Sequence, residues 1–244
     1  MKAFPSVNAP PIDIIERIFY TLTSEYKTNK QISSELKDVD KRVLSNALSI
    51  MTYLNLIEAK GRGRTRRYKR GRDEFKVVEA FINARDVSEV LRFIGMKITR
   101  REDIAVRVYG KLKETKATKL RRISAIASMA RDLNILSKKR KYELTEMGEN
   151  LLFEFYLEKI YTTEKEREGL PTIPIPIIRD KICSALGISR KVFDEKLIAL
   201  AKKRDDLVLS PAPAVTEEIR RGGIPSERGV LYHLRLNALK LLMK

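Results

Sequence analysis

The chain has 244 residues, of which 50 are lysine or arginine and 32 are aspartate or glutamate, and its formal net charge at pH 7 is +18. Such an excess of positive charge favours a phosphate-bearing partner such as nucleic acid. With 43% hydrophobic residues the chain can bury real cores, which excludes disorder throughout. It has no apolar run of about 18 residues and no signal-peptide pattern at its N-terminus, so we expect a cytoplasmic protein without a membrane anchor.

The residue types on which most enzymes depend are scarce. Cys183 and His233 are the only cysteine and histidine, which excludes an internal disulfide and any zinc site built from cysteine or histidine clusters. The chain also lacks the glycine-rich loops that bind nucleotide phosphates. Cys183 lies among apolar residues at helical spacing and is interpreted as a core thiol. We therefore expect no catalytic residues, no metal and no cofactor.

Hydrophobic periodicity divides residues 11–70 into three helices and a hairpin. The first helix begins near Pro11. The second begins at Thr28, which with Gln31 can form a capping box. Asp40 can cap the third helix, whose apolar face is predicted to comprise Val43, Leu44, Ala47, Leu48, Met51 and Leu54.

The opposite face of the third helix carries small polar and basic side chains. Such side chains can reach base edges and phosphates from a helix in the major groove of DNA. An ordinary solvated helix face is the alternative interpretation. The candidate contact residues on this face are Lys41, Arg42, Ser45, Asn46 and Ser49.

Residues 60–72 form a strongly basic segment with no acidic residue. Glycines 61 and 63 predict a tight turn between extended runs at 57–60 and 65–70. The segment is thus predicted to be a hairpin that presents cations to nucleic acid, whereas the alternative is a disordered, solvated linker. Its candidate contact residues are Lys60, Arg62, Arg64, Arg66, Arg67, Lys69, Arg70 and Arg72.

The order of helix, helix, short turn, helix and basic hairpin resembles the winged-helix family, and in particular tandem winged-helix DNA-binding proteins of an archaeal kind. The resemblance is one of pattern, without an invariant motif. It implies that the third helix reads the major groove and that the hairpin, called the wing, contacts the DNA backbone or the minor groove.

Residues 74–149 look like a second module of this kind. A helix over about 117–134 would leave basic and small polar residues outside, and residues 138–141 would form a short wing. The phrase from Tyr142 to Gly148 resembles the wing strand and following helix start of many winged-helix regulators, with Thr145 as the helix cap. Helices upstream are expected within 74–95 and 101–115. The candidate DNA contacts are Arg121, Arg122, Ser124, Ser128, Lys138, Lys139, Arg140 and Lys141.

Residues 150–244 give a third, less basic module. A helix over 148–168 precedes an extended segment at 173–176, where prolines preclude a helix. A helix over 177–186 is stopped by Gly187, and Ser189 caps a helix over 190–203. The candidate contacts here are Arg190, Lys191, Arg220 and Arg221, the last two at the tip of a long wing spanning 211–229.

Two further parts of this module have open interpretations. The apolar segment 211–215 could be a packing or protein-binding surface instead of part of a DNA-binding wing. A final helix over 237–244 would cover a core or make a dimer contact. A homo-oligomer or a protein partner is therefore expected to involve this third module.

The sequence predicts a mainly α protein with small β-hairpins, built from three tandem winged-helix modules at 1–73, 74–149 and 150–244. It is expected to bind double-stranded DNA without catalysing a reaction, as a nucleoid-associated transcription regulator. A chromosome-organising, plasmid replication or partition protein would use the same modules. A protein-docking platform in a transcription or chromosome complex, and an RNA-binding role, are the alternatives of other classes.

Overall fold

A computed structural model describes residues 3–139, 142–212, 216–227 and 229–237. The chain is mainly helical with small antiparallel sheets, which confirms the predicted class at that level. It divides into two compact units, Met1–Gly148 and Glu149–Lys244. The first unit thus contains both the first and the second predicted modules, and the division into three modules stays a prediction.

The first half of the first unit consists of three helices and a three-stranded sheet. Strand β3 lies at the centre and pairs antiparallel with β1 on one side and β2 on the other. In chain order the elements are α1 (Ile12–Thr21), β1 (Lys27–Thr28), α2 (Asn29–Glu35), α3 (Lys41–Tyr53), β2 (Ile57–Lys60), a short 3-10 helix (Gly63–Thr65) and β3 (Arg67–Arg70).

Local signals place α2 and α3 as predicted. The Thr28 hydroxyl accepts a hydrogen bond from the Gln31 backbone amide while the Gln31 side chain accepts from the Thr28 amide, which confirms the capping box. The Asp40 carboxylate accepts from the amides of Arg42 and Val43 and so caps α3. The apolar faces of α1, α2 and α3 together form the core, in which Ile15, Ile18, Phe19, Ile32, Leu44, Leu48 and Met51 are all buried.

The second half of the first unit is helical. It contains α4 (Val77–Asn83), α5 (Arg85–Gly95), α6 (Arg101–Tyr109) and α7 (Lys116–Asp132), followed by an isolated bridge between Leu136 and Leu144. The predicted helical stretch 74–95 is interrupted at Ala84, whose backbone is extended and which lies between the end of α4 and the start of α5. Helix α7 agrees with the predicted helix 117–134 to within two residues at each end.

The second unit repeats the element order of the first half of unit one, with an insertion. Its sheet has the order β4-β7-β5, and β6 also pairs with β7. Helix α8 starts before the unit boundary. The elements are α8 (Glu146–Glu168), β4 (Ile173–Pro174), α9 (Ile175–Leu186), α10 (Arg190–Ala201), β5 (Leu207–Pro211), α11 (Glu217–Gly222), β6 (Ile224–Ser226) and β7 (Gly229–Leu236).

The predicted turn between α9 and α10 is confirmed, but the start of α9 is not where we expected it. Gly187 adopts the left-handed conformation with φ of 66°, and Ser189 caps α10. The expectation of extended chain over 173–176 is wrong in its second half, because α9 begins at Ile175. Pro176 fits the first helical turn, where an amide proton would have no partner within the helix.

The predicted long wing over 211–229 is also corrected. Arg220 and Arg221 do not lie at a hairpin tip but in helix α11. Thr216 caps this helix, and its acidic first turn and basic last turn both suit the helix dipole. Residues 213–215 and the predicted final helix beyond Asn237 lie outside the described residues.

Among the described residues, no helix is both long enough and apolar enough to cross a lipid bilayer.

Substitution of Asp40 tests whether its carboxylate stabilises the start of α3. We expect Asp40→Ala to lower the free energy of unfolding by about 1 kcal/mol, because the amides of the first turn lose their acceptor. Asp38→Ala is the matched control: this carboxylate only forms an exposed ion pair with Arg17 and should contribute less. Urea unfolding followed by circular dichroism measures both. An equal loss in the two variants would contradict the assignment of Asp40 as the cap.

Candidate nucleic-acid interface

The β2–β3 hairpin is closed by a turn that requires glycine. Gly61 has φ of +85°, and a Cβ atom there would come within 2.8 Å of the Thr65 carbonyl oxygen. The Thr65 amide and hydroxyl both donate to the Arg62 carbonyl, at 3.2 and 2.8 Å. A compact turn therefore replaces the flexible linker of the alternative interpretation. It leaves the side chains of Lys60, Arg62 and Arg67 exposed.

Other cations of this hairpin are held against the protein. Lys69 forms an ion pair of 3.0 Å with Glu58, and its ammonium group lies 5.3 Å from the centre of the Tyr26 ring. This ion pair lowers the pKa of Glu58 and raises the pKa of Lys69. Arg66 lies over the Tyr68 ring at 5.4 Å. These contacts hold the two cations in fixed positions and restrict the movement of their side chains toward a ligand.

Arg70 is anchored most firmly. Its Nη2 atom donates to the Tyr20 carbonyl oxygen at 3.1 Å, and its guanidinium group lies over the rings of Phe19 and Tyr20 at 5.3 and 5.7 Å. Arg72, just beyond β3, is half-buried. The predicted basic segment thus divides into exposed cations near the turn and anchored cations near the body of the unit. The Arg64 backbone belongs to the turn, and its side chain lies outside the description.

Only the beginning of α3 presents a free polar face. Lys41, Arg42 and Ser45 are exposed there. Asn46 is half-buried, and its Nδ2 atom donates to the Asn8 carbonyl oxygen at 3.1 Å. The Ser49 hydroxyl donates to the Ser45 carbonyl oxygen at 2.9 Å, as serines inside helices often do. The structure therefore brings Lys41, Arg42 and Ser45 together as the accessible part of the predicted contact face.

The predicted outward face of α7 contains an error. Arg121 is exposed, but Arg122 is 9% exposed and makes two hydrogen bonds with the Glu114 carboxylate, of 3.0 Å from Nε and 2.5 Å from Nη2. The guanidinium group also lies 5.9 Å from the centre of the Tyr109 ring. Helical periodicity could not reveal this contact, since Glu114 precedes the helix. Arg122 is thus a structural cation and not a surface contact.

The remaining second-module candidates are mixed in exposure. The Ser124 hydroxyl accepts from Arg101 Nη1 at 2.9 Å, and Ser128 is half-buried. Lys138 and Lys139 are exposed beside the Leu136–Leu144 bridge. Arg140 and Lys141 lie outside the described residues. Thr145 accepts from the Gly148 amide at 3.0 Å, which confirms it as the cap of α8.

In the second unit, a hydrogen bond connects the start of α10 to the end of α11. The Arg190 guanidinium donates from Nη2 to the Arg221 carbonyl oxygen at 3.2 Å, and the Arg221 side chain forms an ion pair with Glu217. Lys191 and Arg220 are exposed. A carbonyl oxygen at the end of α11 thus binds Arg190, the first residue of α10. The equivalent first residue of α3 is the exposed Lys41.

Buried Arg179 explains how this arrangement is held. It is 1% exposed, donates from Nε to Asp194 Oδ1 at 2.8 Å and donates from Nη1 to the Gly222 carbonyl oxygen at 2.5 Å. It therefore joins α9, α10 and α11. The sequence gives no signal of this role, because an arginine in an amphipathic helix is ordinarily solvated. Its partner Asp194 belongs to α10.

Asp86 is a second buried charge that the sequence analysis missed. It is fully buried in the first turn of α5, and its carboxylate accepts hydrogen bonds from the hydroxyls of Tyr53 and Tyr109. Burial and the neighbouring carboxylate raise the pKa of both tyrosines, which stay protonated at neutral pH. An aspartate among the apolar positions of α5 is the only sequence signal that could have indicated this cluster.

No family model matches the chain, and comparisons with curated proteins and with solved structures gave no match either. Within the described ranges, no group of three or more histidine, cysteine, aspartate or glutamate side chains is arranged to hold a metal ion. Function is therefore inferred from the geometry and charge of the chain itself.

The Arg122–Glu114 contact predicts a pH-dependent contribution to stability. Arg122 holds the pKa of Glu114 below its ordinary value of 4.5. The contribution is therefore present above that value and is lost as the pH falls through the lowered pKa. We expect Glu114→Gln to lower the free energy of unfolding at pH 7 by about 1 to 2 kcal/mol, since bonds to a charged group are lost. The difference from wild type should narrow in acid.

Urea unfolding at a series of pH values measures this effect. Glu102→Gln is the matched control, because Glu102 is exposed and lies 4.0 Å from its arginine partner. It should leave stability close to that of wild type. A Glu114→Gln difference that stays constant from neutral to acid pH would show that the charge of Glu114 does not stabilise the fold.

Proposed function

We propose that this chain binds double-stranded DNA through its first unit, as a winged-helix protein. The observation that carries the proposal is the placement of two exposed basic groups in one half-unit: the cations of the β2–β3 turn and the first turn of α3. The first group comprises Lys60, Arg62 and Arg67, and the second comprises Lys41 and Arg42.

Topology supports the proposal. The order α1-β1-α2-α3-β2-β3, with the first strand paired to the last, agrees with the arrangement expected of a winged helix. In such a module α3 enters the major groove, which is about 12 Å wide and accommodates one α-helix. The β2–β3 hairpin then acts as the wing that contacts the sugar-phosphate backbone or the minor groove.

The same geometry favours DNA over RNA. Side chains cannot read the deep, narrow major groove of an A-form RNA helix, so a helix such as α3 has no equivalent place on duplex RNA. The exposed end of α3 carries Ser45 beside two cations, which combines a group able to reach base edges with groups that neutralise phosphates.

The second half of unit one extends the proposed interface. Helix α7 follows α6 in this half, and Arg121 of α7 is exposed, as are Lys138 and Lys139 beside the Leu136–Leu144 bridge. A protein that engages DNA in two places suits a transcription regulator, which is the role we propose. Organisation of chromosomal or plasmid DNA would use the same contacts.

For the second unit we propose docking of a protein partner or of a second copy of the chain. The specific observation is that carbonyl oxygens at the end of α11 accept hydrogen bonds from Arg179 of α9 and from Arg190, the first residue of α10. The bond to α11 restrains Arg190 and leaves it less free to reach a DNA phosphate. The mixed charge of α10, with Asp194 and Glu195 beside its cations, also disfavours DNA.

Fluorescence anisotropy with a random-sequence duplex of about 40 base pairs, titrated across a salt series, tests the role of the hairpin. We expect the double variant Arg62→Ala/Arg67→Ala to bind more weakly than wild type. The slope of log affinity against log salt should become shallower by about two units, one for each lost phosphate contact.

The control removes the same charge elsewhere. Lys202→Ala/Lys203→Ala takes two exposed lysines from the second unit. It should leave the salt slope close to that of wild type. Equal slopes in wild type and in the hairpin variant would contradict the assignment of the hairpin as the DNA contact.

A second comparison uses equivalent helix positions in the two units. Lys41 and Arg42 follow the cap of α3, just as Arg190 and Lys191 follow the cap of α10. We expect Lys41→Ala/Arg42→Ala to weaken DNA binding about ten- to a hundredfold near 0.1 M salt, by loss of phosphate contacts. Arg190→Ala/Lys191→Ala should change it much less. A larger loss of affinity in Arg190→Ala/Lys191→Ala than in Lys41→Ala/Arg42→Ala would instead assign DNA binding to the second unit.

A further inference from the structure

A single buried carboxylate, that of Asp86, connects three segments to α5. Its Oδ2 atom accepts a hydrogen bond of 2.6 Å from the Phe4 backbone amide and one of 2.7 Å from the Tyr109 hydroxyl. Its Oδ1 atom accepts from the Tyr53 hydroxyl. Asp86 is 0% exposed, and so is Tyr109. Hydrogen bonds therefore converge on Asp86 from the N-terminal segment, from α3 and from α6.

Packing alone does not require a charge at this position. Burying a carboxylate carries a large desolvation cost unless hydrogen bonds replace its lost water. An apolar residue of similar size would fill the space without that cost. What the carboxylate adds is direction, because its hydrogen bonds hold their donors at defined distances and angles in a region of low dielectric constant.

The donors lie at the junction between the two halves of unit one. Tyr53 is the last residue of α3, and Tyr109 is the last residue of α6. The Phe4 ring packs edge-on against Tyr53, with centroids 5.2 Å apart, and against Phe81 of α4 at 6.3 Å. An aromatic cluster thus surrounds the carboxylate on the side of α3 and α4.

We propose that Asp86 is a positioning residue that fixes α3 relative to α6 and α7, so that the first unit reads one DNA duplex as a single rigid body. The fixed geometry is a property of the protein alone. Its consequence for DNA rests on the proposed function. Two contact surfaces held in register bind as one, because the second contact forms at high effective concentration once the first has formed.

The geometric part is tested without DNA. Spin labels at Ser45→Cys and Arg121→Cys, both exposed positions, report the distance between α3 and α7 by double electron–electron resonance in a Cys183→Ser background. We expect one narrow distance distribution in this protein. Asp86→Asn should broaden it, because one acceptor atom becomes an amide that faces hydrogen-bond donors.

Tyr109→Phe is the milder variant, and it keeps the test decisive if Asp86→Asn does not fold. It removes only the hydroxyl that reaches Asp86 from α6, and it should also broaden the distribution. Tyr161→Phe is the matched control, since it removes a hydroxyl that donates to the Pro171 carbonyl oxygen at 2.9 Å in the second unit. It should leave the distribution unchanged. An unchanged distribution in Tyr109→Phe would overturn the proposal.

The DNA consequence is measured with two duplexes, one of about one helical turn and one of about three turns. The quantity compared is the dissociation constant for the short duplex divided by that for the long duplex. We expect Tyr109→Phe to reduce this ratio about tenfold, because a loosened unit gains less from the longer duplex. A merely destabilised protein would lose affinity for both duplexes equally, and the unchanged ratio would count against the positioning role. Absence of DNA binding by the wild type would refute the proposed function while the distance measurement still tests the geometry.

Discussion

Strand β3 imposes the constraint on which the first half of unit one depends. Three of its four residues, Arg67, Lys69 and Arg70, are cations, yet it is the central strand of the sheet. Repulsion among these cations is relieved in two ways along the strand. Lys69 forms an ion pair with Glu58, and the Arg70 guanidinium group lies over aromatic rings. Tyr68 between them is buried. The charge that stays exposed is therefore concentrated at the turn, where Arg62 and Arg67 point to solvent.

The first half of unit one and the second unit share an order of elements, apart from the insertion of α11 and β6, but distribute their charges differently. In the first, the cations that begin α3 are free and the buried charge is Asp86. In the second, the buried charge is Arg179, and its contacts with Asp194 and the Gly222 carbonyl group hold α11 against α10. One order of elements would thus serve the two proposed roles, because the proposed DNA contact depends on the exposed cations at a helix start and not on the topology alone.

Features set by neighbouring residues could be predicted from the sequence. The capping box at Thr28, the cap at Asp40 and the left-handed Gly187 all depend on contacts within a few residues, and each is confirmed. Periodicity also gave most of the apolar face of α3, where Leu44, Ala47, Leu48, Met51 and Leu54 are buried. The assignment of these elements to winged-helix modules that bind DNA stays a prediction.

Features set by distant partners could not be predicted. Arg122 was assigned to the surface because its partner Glu114 lies in the loop before α7. The roles of Asp86 and Arg179 likewise depend on partners up to 82 residues away in the chain. Asn46 is engaged by Asn8 from the N-terminal segment. A helical wheel places such side chains on a face, but only the tertiary fold determines what that face meets.

Hydrogen–deuterium exchange of the full chain, with and without saturating duplex DNA, measures whether the first unit contacts the duplex. Bound DNA should slow exchange of amides in the first turns of α3 and in the β2–β3 hairpin, because both would lie against the duplex. The second unit should be protected less. Protection confined to the second unit, or no protection at saturating DNA, would contradict DNA binding by the first unit.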